Sequence, residues 1–183
     1  MYISSDLDNF DIFDISIAGN ALKNLILIRH AKSDWGDPNL RDMDRPLNQR
    51  GLRNAPKMGL RLAQTPLALD AFFCSPAKRA IDTATLITKA LAHSPSVIIN
   101  PALYDASSAS LLRTLQQTDN RHVNIAILGH NPGLTEFANA LTGEQLSNIP
   151  TCGMVHIRFN SHDWASITPG CGHMEMFDYP KRK

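Results

Sequence analysis

Four short runs of consecutive apolar residues restrict the fold of this chain more than any other feature. They are LILI at 25–28, AFFC at 71–74, VII at 97–99 and IAIL at 125–128, each bounded by polar or turn-forming residues. A strand with one solvated face alternates apolar and polar residues, whereas an unbroken apolar run of this length is typical of a strand buried on both faces. The runs therefore predict the strands of a parallel sheet.

Amphipathic helical patterns occupy the segments between these runs. In SPAKRAIDTATLITKAL the apolar residues repeat with a period near 3.6, and Ser75 and Pro76 suit the N-cap and the first helical position. NPGLTEFANAL has the same arrangement, with Asn131 as the predicted cap and Pro132 after it. Helices are also predicted over residues 48–64 and 108–117.

The pattern changes after residue 150. MVHIRF at 154–159 alternates, and WASI at 164–167 and MEMF at 174–177 follow it, so we predict edge or antiparallel strands there. Because strand and helix alternate through the first 145 residues, the fold class predicted is α/β, a three-layer α/β/α sandwich with a mainly parallel central sheet.

The length of 183 residues and the 43% hydrophobic content predict a single domain over residues 23–180. Residues 1–22 have four Asp before the first Lys, the wrong charge for a secretory signal, and their apolar residues are interrupted. We predict that they are an N-terminal extension outside the core, or the result of a misassigned start. No run approaches the roughly 18 to 20 apolar residues that span a bilayer. Three scattered cysteines favour a reducing compartment, so we expect a cytoplasmic protein. A net charge of +1 argues against nucleic acid or a membrane as partner.

Cationic and titratable side chains follow three of the predicted strands. Arg29 and His30 end the first strand, Arg79 lies about one turn into the helix after the second, and His130 follows the run at 125–128. The carboxyl ends of parallel strands share one edge of a sheet, where ligands bind in folds of this class. Each residue alone could be an ordinary solvated loop residue. Together they predict a phosphoryl site, since arginine forks bind phosphate oxygens and histidine is a nucleophile or an acid–base group.

The segments LIRHAKSDW, RPLNQRG, FCSPAKRAIDTA and ILGHNPGL resemble the histidine phosphatase superfamily, which has the phosphoglycerate mutase-like fold, and within it the SixA-like phosphohistidine phosphatase branch. The resemblance covers residues 24–142. It implies that His30 is the phosphorylated nucleophile and that Arg29, Arg79 and His130 bind and neutralise the phosphoryl group. Asn48, where the family often has Thr, and Asn131 are further candidates for phosphate binding, although Asn48 suits a helix cap equally well.

The chain departs from the family pattern in its proton donor. Ester-cleaving members carry a Glu after the third strand, whereas this chain reads PALYDASSAS, and Asp34 and Asp105 are the candidate acids. An alkoxide leaving group needs a positioned acid, but the imidazole of phosphohistidine can leave with a proton that it already carries. The missing Glu therefore favours cleavage of P–N bonds.

These features predict a phosphatase that needs no metal and no cofactor, acting on a phosphorylated protein or a small phosphoramidate. The remaining histidines have no metal-binding spacing. Alternatives are a phosphomonoesterase acting on small esters, a phosphoprotein-binding domain without turnover, and a cysteine phosphatase using Cys74, whose C-x4-R spacing is one residue short. Residues 32–53 carry five basic residues and four Asp, and are either a balanced surface loop or a docking rim.

Overall fold

The computed structural model describes residues 21–93 and 95–182. The strands are β1 (Asn24–Arg29), β2 (Ala71–Cys74), β3 (Ser96–Ile99), β4 (Asn124–Gly129), β5 (Met154–Phe159) and β6 (Gly172–Asp178). The α-helices are α1 (Gln49–Ala63), α2 (Lys78–Thr88), α3 (Ser108–Gln116) and α4 (Gly133–Thr142). Short 3-10 helices cover Asp42–Asp44, Pro101–Leu103 and Trp164–Ser166.

The strands form one sheet in the order β3-β2-β4-β1-β5-β6. The four strands β1 to β4 are parallel, while β5 runs antiparallel to β1 and β6 antiparallel to β5. Leu25 and Leu27 pack into the core on the side of α3 and α4, and Ile26 and Ile28 into the core on the side of α1 and α2. A helical layer therefore covers each face of the sheet, which confirms the predicted sandwich and explains the unbroken apolar run of β1.

Two of the predicted strands differ from the structure. Strand β3 is not buried: it lies at an edge of the sheet, and Val97, Ile98 and Ile99 are 37%, 40% and 43% exposed. An apolar run indicates a strand but not its place in the sheet. The segment WASI forms a 3-10 helix instead of a strand, because the Asp163 side chain accepts a hydrogen bond from Ala165 N and turns the chain there.

Two of the predicted helix starts are wrong. Helix α2 begins at Lys78 rather than Pro76, and α4 begins at Gly133 rather than Pro132; neither has a side-chain cap. The predicted caps are engaged elsewhere, since Ser75 Oγ lies 2.7 Å from His130 Nε2 and Asn131 Nδ2 donates to Asn148 Oδ1.

The other two helices begin as ordinary capped helices. Asn48 accepts a hydrogen bond from Gly51 N at the start of α1, and Ser107 accepts one from Ser110 N at the start of α3. Helix α1 also accommodates Pro56 in its interior.

Most of the predicted N-terminal extension, residues 1–20, lies outside the described residues. Among the helices of residues 21–93 and 95–182, none combines the length and the apolarity needed to cross a membrane.

Candidate active site

A cavity of about 410 Å³ lies at the carboxyl edge of the parallel strands. Arg29, His30, Arg79, His130 and Asn131 all line it. The register of the sheet brings the histidines together, because Arg29 is paired with Gly129, so that β1 and β4 end side by side. The two imidazole ring centroids are 5.0 Å apart.

The ring of His30 is held in one tautomer. Its Nδ1 lies 2.7 Å from the carbonyl oxygen of Ala31, which can only accept a hydrogen bond, so Nδ1 carries the proton and Nε2 keeps its lone pair. Burial, together with the nearby His130, Arg79 and Arg29, lowers the pKa of His30 to about 3, although the bond to Ala31 opposes the shift. At neutral pH this imidazole is therefore uncharged, and its Nε2 has a lone pair available for nucleophilic attack.

His130 is also neutral. Its Nδ1 lies 3.3 Å from Arg79 Nη2, which can only donate, so the proton is on Nε2 and points to Ser75 Oγ at 2.7 Å. Burial, followed by the charge of Arg79, lowers the pKa of His130 to about 4. The fixed positive charge closest to the histidines therefore comes from arginines.

Arg29 is anchored by the loop between α4 and β5. Its Nη1 donates to Asn148 Oδ1 at 3.0 Å and to the carbonyl oxygen of Ile149 at 2.8 Å, and Asn131 Nδ2 donates to the same two oxygens. Arg29 Nε and Asn131 Oδ1 are buried without a hydrogen-bond partner among the described residues. The side-chain nitrogen of Asn131 is thus turned toward this loop, while the residue still lines the cavity.

Asp42 binds the guanidinium group of Arg79. Its carbonyl oxygen accepts from Arg79 Nη1 at 2.5 Å, and its Oδ2 accepts from Arg79 Nη2 at 2.8 Å and from Tyr104 Oη at 2.7 Å. Burial alone would raise the pKa of Asp42, but the hydrogen bonds from Tyr104 and Arg79 and the charges of Arg79 and Arg45 lower it to about 2. Asp42 is therefore an ionised counterion.

Asp42, Ser75 and Tyr104 contact the predicted site residues, but sequence reasoning assigned them no place in the site. Asp42 is one of four Asp in a polar loop, and its sequence position does not distinguish it from the others. Ser75 was predicted to be a helix cap. Tyr104 stands beside the candidate acid Asp105 in the sequence, and both line the cavity.

Two candidate residues do not join the others. Asn48 is the cap of α1 and is not part of the cavity wall. Asp34 Oδ1 accepts from Gly36 N in an exposed turn, also outside the cavity wall. Of the two candidate acids, only Asp105 borders the cavity, and its backbone has a φ of 48°.

Trp35 and Arg45 form a stack at the mouth of the cavity. The guanidinium carbon of Arg45 lies 3.2 Å from the centroid of the Trp35 ring, and both residues line the cavity. Arg45 is buried, and its Nη2 donates to Ser33 Oγ at 2.6 Å. The guanidinium group that covers one face of the Trp35 ring is therefore held in place.

The structure does not favour Cys74 as a nucleophile. Burial raises the pKa of Cys74 to about 12, and the residue is not part of the cavity wall, so a thiolate nucleophile is disfavoured. No group of three or more His, Cys, Asp or Glu within residues 21–93 and 95–182 is placed to hold a metal ion.

Comparisons with known proteins identify the family of this chain. The model of the histidine phosphatase superfamily (branch 1) matches residues 25–111. An uncharacterised protein of Mycobacterium tuberculosis is 32% identical over 169 residues, which cover 84% of this chain and 100% of the relative.

Solved structures give the same result for the fold. The SixA protein of Agrobacterium tumefaciens has a TM-score of 0.73 and 25% identity, over 86% of this chain and 98% of its own. The SixA protein of Nakamurella multipartitia has a TM-score of 0.78 and 21% identity, over 88% of this chain and 98% of its own. The fold is therefore phosphoglycerate mutase-like, and the chain belongs to the histidine phosphatase superfamily.

Proposed function

We propose that this protein is a metal-independent phosphatase that removes phosphate from phosphohistidine in proteins through a phosphorylated His30 intermediate. One observation carries the proposal: His30 is an uncharged imidazole with its proton fixed on Nδ1, in a cavity that it shares with two arginines. Phosphoryl transfer depends mainly on positioning and on the stabilisation of charge, which these groups supply.

In the first step His30 Nε2 attacks phosphorus in line with the leaving group. Arg29 and Arg79 stabilise the negative charge on the equatorial oxygens, and His130 lies beside them. The bond from phosphorus to the substrate imidazole breaks, and that imidazole leaves with its own proton. In the second step water attacks phosphorus, inorganic phosphate is released, and His30 is restored with its proton on Nδ1.

Two features support phosphohistidine as the substrate. The chain has no Glu where ester-cleaving members of the family carry their acid, and Asp34 is turned toward Gly36. The two similar SixA proteins are each proposed to be phosphohistidine phosphatases.

A phosphomonoesterase is the second candidate, because Asp105 borders the cavity and is a carboxyl group that could protonate an alkoxide. Its test is the replacement Asp105→Asn. Loss of turnover on an alkyl phosphate, with turnover of phosphohistidine and of p-nitrophenyl phosphate retained, would identify Asp105 as an acid for ester cleavage.

The test of the main proposal is phosphate release from a phosphohistidine peptide in the presence of EDTA. We expect turnover by the wild type, none by His30→Ala, and wild-type turnover by His173→Ala, a control that removes an exposed histidine on β6. Brief incubation with radiolabelled substrate should give acid-labile label on the wild type and none on His30→Ala.

Turnover that persists in His30→Ala would refute the nucleophile. Activity lost in EDTA and restored by a divalent ion would refute the metal-free scheme. Binding of the peptide without any release of phosphate would instead identify the non-catalytic phosphoprotein-binding domain.

A further inference from the structure

The outer face of Trp35 is an unusual feature of the cavity mouth. Trp35 is 71% exposed, although a tryptophan ring is among the side chains that gain most from leaving water. Its partner Arg45 is only 6% exposed and covers the inner face of the ring. The ring therefore has one face that is covered and one that is open to solvent.

The stack is rigid because Arg45 is fixed on every arm of its guanidinium group. Nε donates to the carbonyl oxygen of Asp34 at 2.9 Å, Nη1 to Asp42 Oδ1 at 2.6 Å, and Nη2 to Ser33 Oγ at 2.6 Å. A ring held in this way loses little conformational entropy when a ligand covers it. The stack is also joined to the site, since Asp42 contacts both Arg45 and Arg79.

We infer that the open face of Trp35 is a subsite for an apolar side chain of a phosphorylated polypeptide, next to its phosphorylated histidine. The inference rests on the proposed function and adds the residue that selects the substrate. Trp35, Arg45 and the phosphoryl-binding groups share one cavity wall, so a substrate whose phosphoryl group is bound there and which extends outward passes the ring.

The charges around the ring favour an apolar occupant over a cationic one. Arg45 already covers the other face of Trp35, and Lys32 also lines the cavity, so a second cation is disfavoured even though Asp42 offsets part of the Arg45 charge. An apolar side chain gains from the surface that it and the ring remove from water.

The exposed apolar surface of this loop extends beyond a single ring. Leu40 and Met43, which lie between Trp35 and Arg45 in the sequence, are also exposed. A small phosphoramidate has no atoms beyond its phosphoryl group and leaving group with which to cover this loop. A polypeptide can fill the cavity and contact the loop at the same time.

The kinetic test compares a phosphohistidine peptide that has leucine or phenylalanine beside the modified residue with phosphoramidate itself. For Trp35→Ala we expect the ratio of kcat/KM for the peptide to kcat/KM for phosphoramidate to fall about tenfold, mainly through KM of the peptide. Trp35→Phe should restore most of the ratio. Leu60→Ala, which truncates an exposed apolar residue on α1, should leave the ratio unchanged.

A binding test is independent of turnover. The chain has two tryptophans, and Trp164 is fully buried, so a change in acrylamide quenching on ligand binding reports on Trp35. A peptide carrying a non-hydrolysable phosphonate analogue of phosphohistidine with apolar neighbours should shift the emission to the blue and protect it from quenching. The same peptide with glycine and serine neighbours should do neither.

The outcomes separate this inference from the proposed function. If the wild type releases no phosphate but the apolar analogue protects Trp35, the subsite stands and the turnover proposal fails. If the wild type is active but both analogue peptides give the same quenching, or if Trp35→Ala impairs phosphoramidate and peptide equally, the subsite is refuted. A shift caused equally by a free aromatic phosphate would assign the ring to a small ligand and also refute it.

Discussion

At the scale of single residues, the orientation of Arg79 depends on a carboxylate that would also compete with a phosphoryl group for it. The ion pair between Asp42 and Arg79 involves an arginine side chain that is 8% exposed and a carboxylate that is 48% exposed. Arg45 and Tyr104 hold that carboxylate in turn. Asp42 is therefore a positioning residue for the arginine fork.

Replacing Asp42 by Asn tests this role. We expect kcat/KM on the phosphohistidine peptide to fall about ten- to a hundredfold, because the loss of the charge lets Arg79 move from its position. The matched control is Asp44→Asn, which makes the same chemical change in the same 3-10 helix but breaks only an exposed pair with Arg41. Steady-state kinetics that give both variants the same activity would contradict the positioning role.

The histidines predict how stability depends on pH. The pKa of His30 is about 3 in the folded chain and that of His130 about 4, against an ordinary value of 6.5. Between these values the unfolded chain binds protons that the folded chain does not, so stability falls as pH decreases below 6.5 and recovers as pH rises. Each such group contributes a slope of at most about 1.4 kcal/mol per pH unit.

The measurement is urea unfolding of the wild type and His30→Gln at pH 7 and pH 5. We expect the variant to lose less free energy of unfolding on acidification than the wild type does. The pKa of Asp42 is about 2, so protonation of this carboxylate affects stability at a lower pH than the range compared here. Equal losses in the two proteins would show that His30 titrates normally.

At the scale of the elements, the start of α4 is fitted tightly to the loop that carries Tyr104 and Asp105. A β-carbon at Gly133 would overlap the carbonyl oxygen of Ala106, so only glycine fits there. The contact fixes the distance between the first turn of α4 and one wall of the cavity.

We expect Gly133→Ala to reduce the free energy of unfolding by about 1 to 3 kcal/mol, as overpacking does elsewhere, and to reduce activity because the loop must move. Gly129→Ala is the stability control, since its β-carbon would meet its nearest neighbours at an ordinary 3.7 Å. Urea unfolding curves that coincide for the two variants would contradict the close fit.

The sequence predicted the elements that periodicity specifies and missed those that depend on partners distant in the chain. The parallel strands and the helices α1 and α3 follow from local apolar patterns. The starts of α2 and α4 do not, because Ser75 bonds to His130, 55 residues away, instead of capping its own helix. The same contrast holds in the candidate site. His30 and His130 could be predicted to lie together because each follows a parallel strand. The contact between Asp42 and Arg79 joins residues that are 37 positions apart, and no local sequence pattern indicates it.

At the scale of the whole molecule, the edge strand β3 presents three exposed apolar residues. Unpaired edges of this kind can pair with other chains, and natural edge strands often carry lysine to prevent it. We expect Ile98→Lys to slow aggregation severalfold at high concentration, as measured by light scattering, with phosphatase activity retained. Leu60→Lys adds the same charge on α1. If it slows aggregation equally, net charge rather than the exposed edge strand β3 is responsible.

The chain enters the sheet before β1 and leaves it after β6, and these two points lie at opposite ends of the strands. Lys23, just before β1, is fully buried, and its Nζ donates to the carbonyl oxygens of Asn120 and His122, which precede β4, so this point lies at the amino edge. Strand β6 runs parallel to β1, and the residues after it border a groove that shares Thr151 with the cavity. A bulky label attached at residue 21 therefore leaves the cavity facing solution, whereas one attached at residue 182 stands beside its entrance and competes with any protein substrate for space.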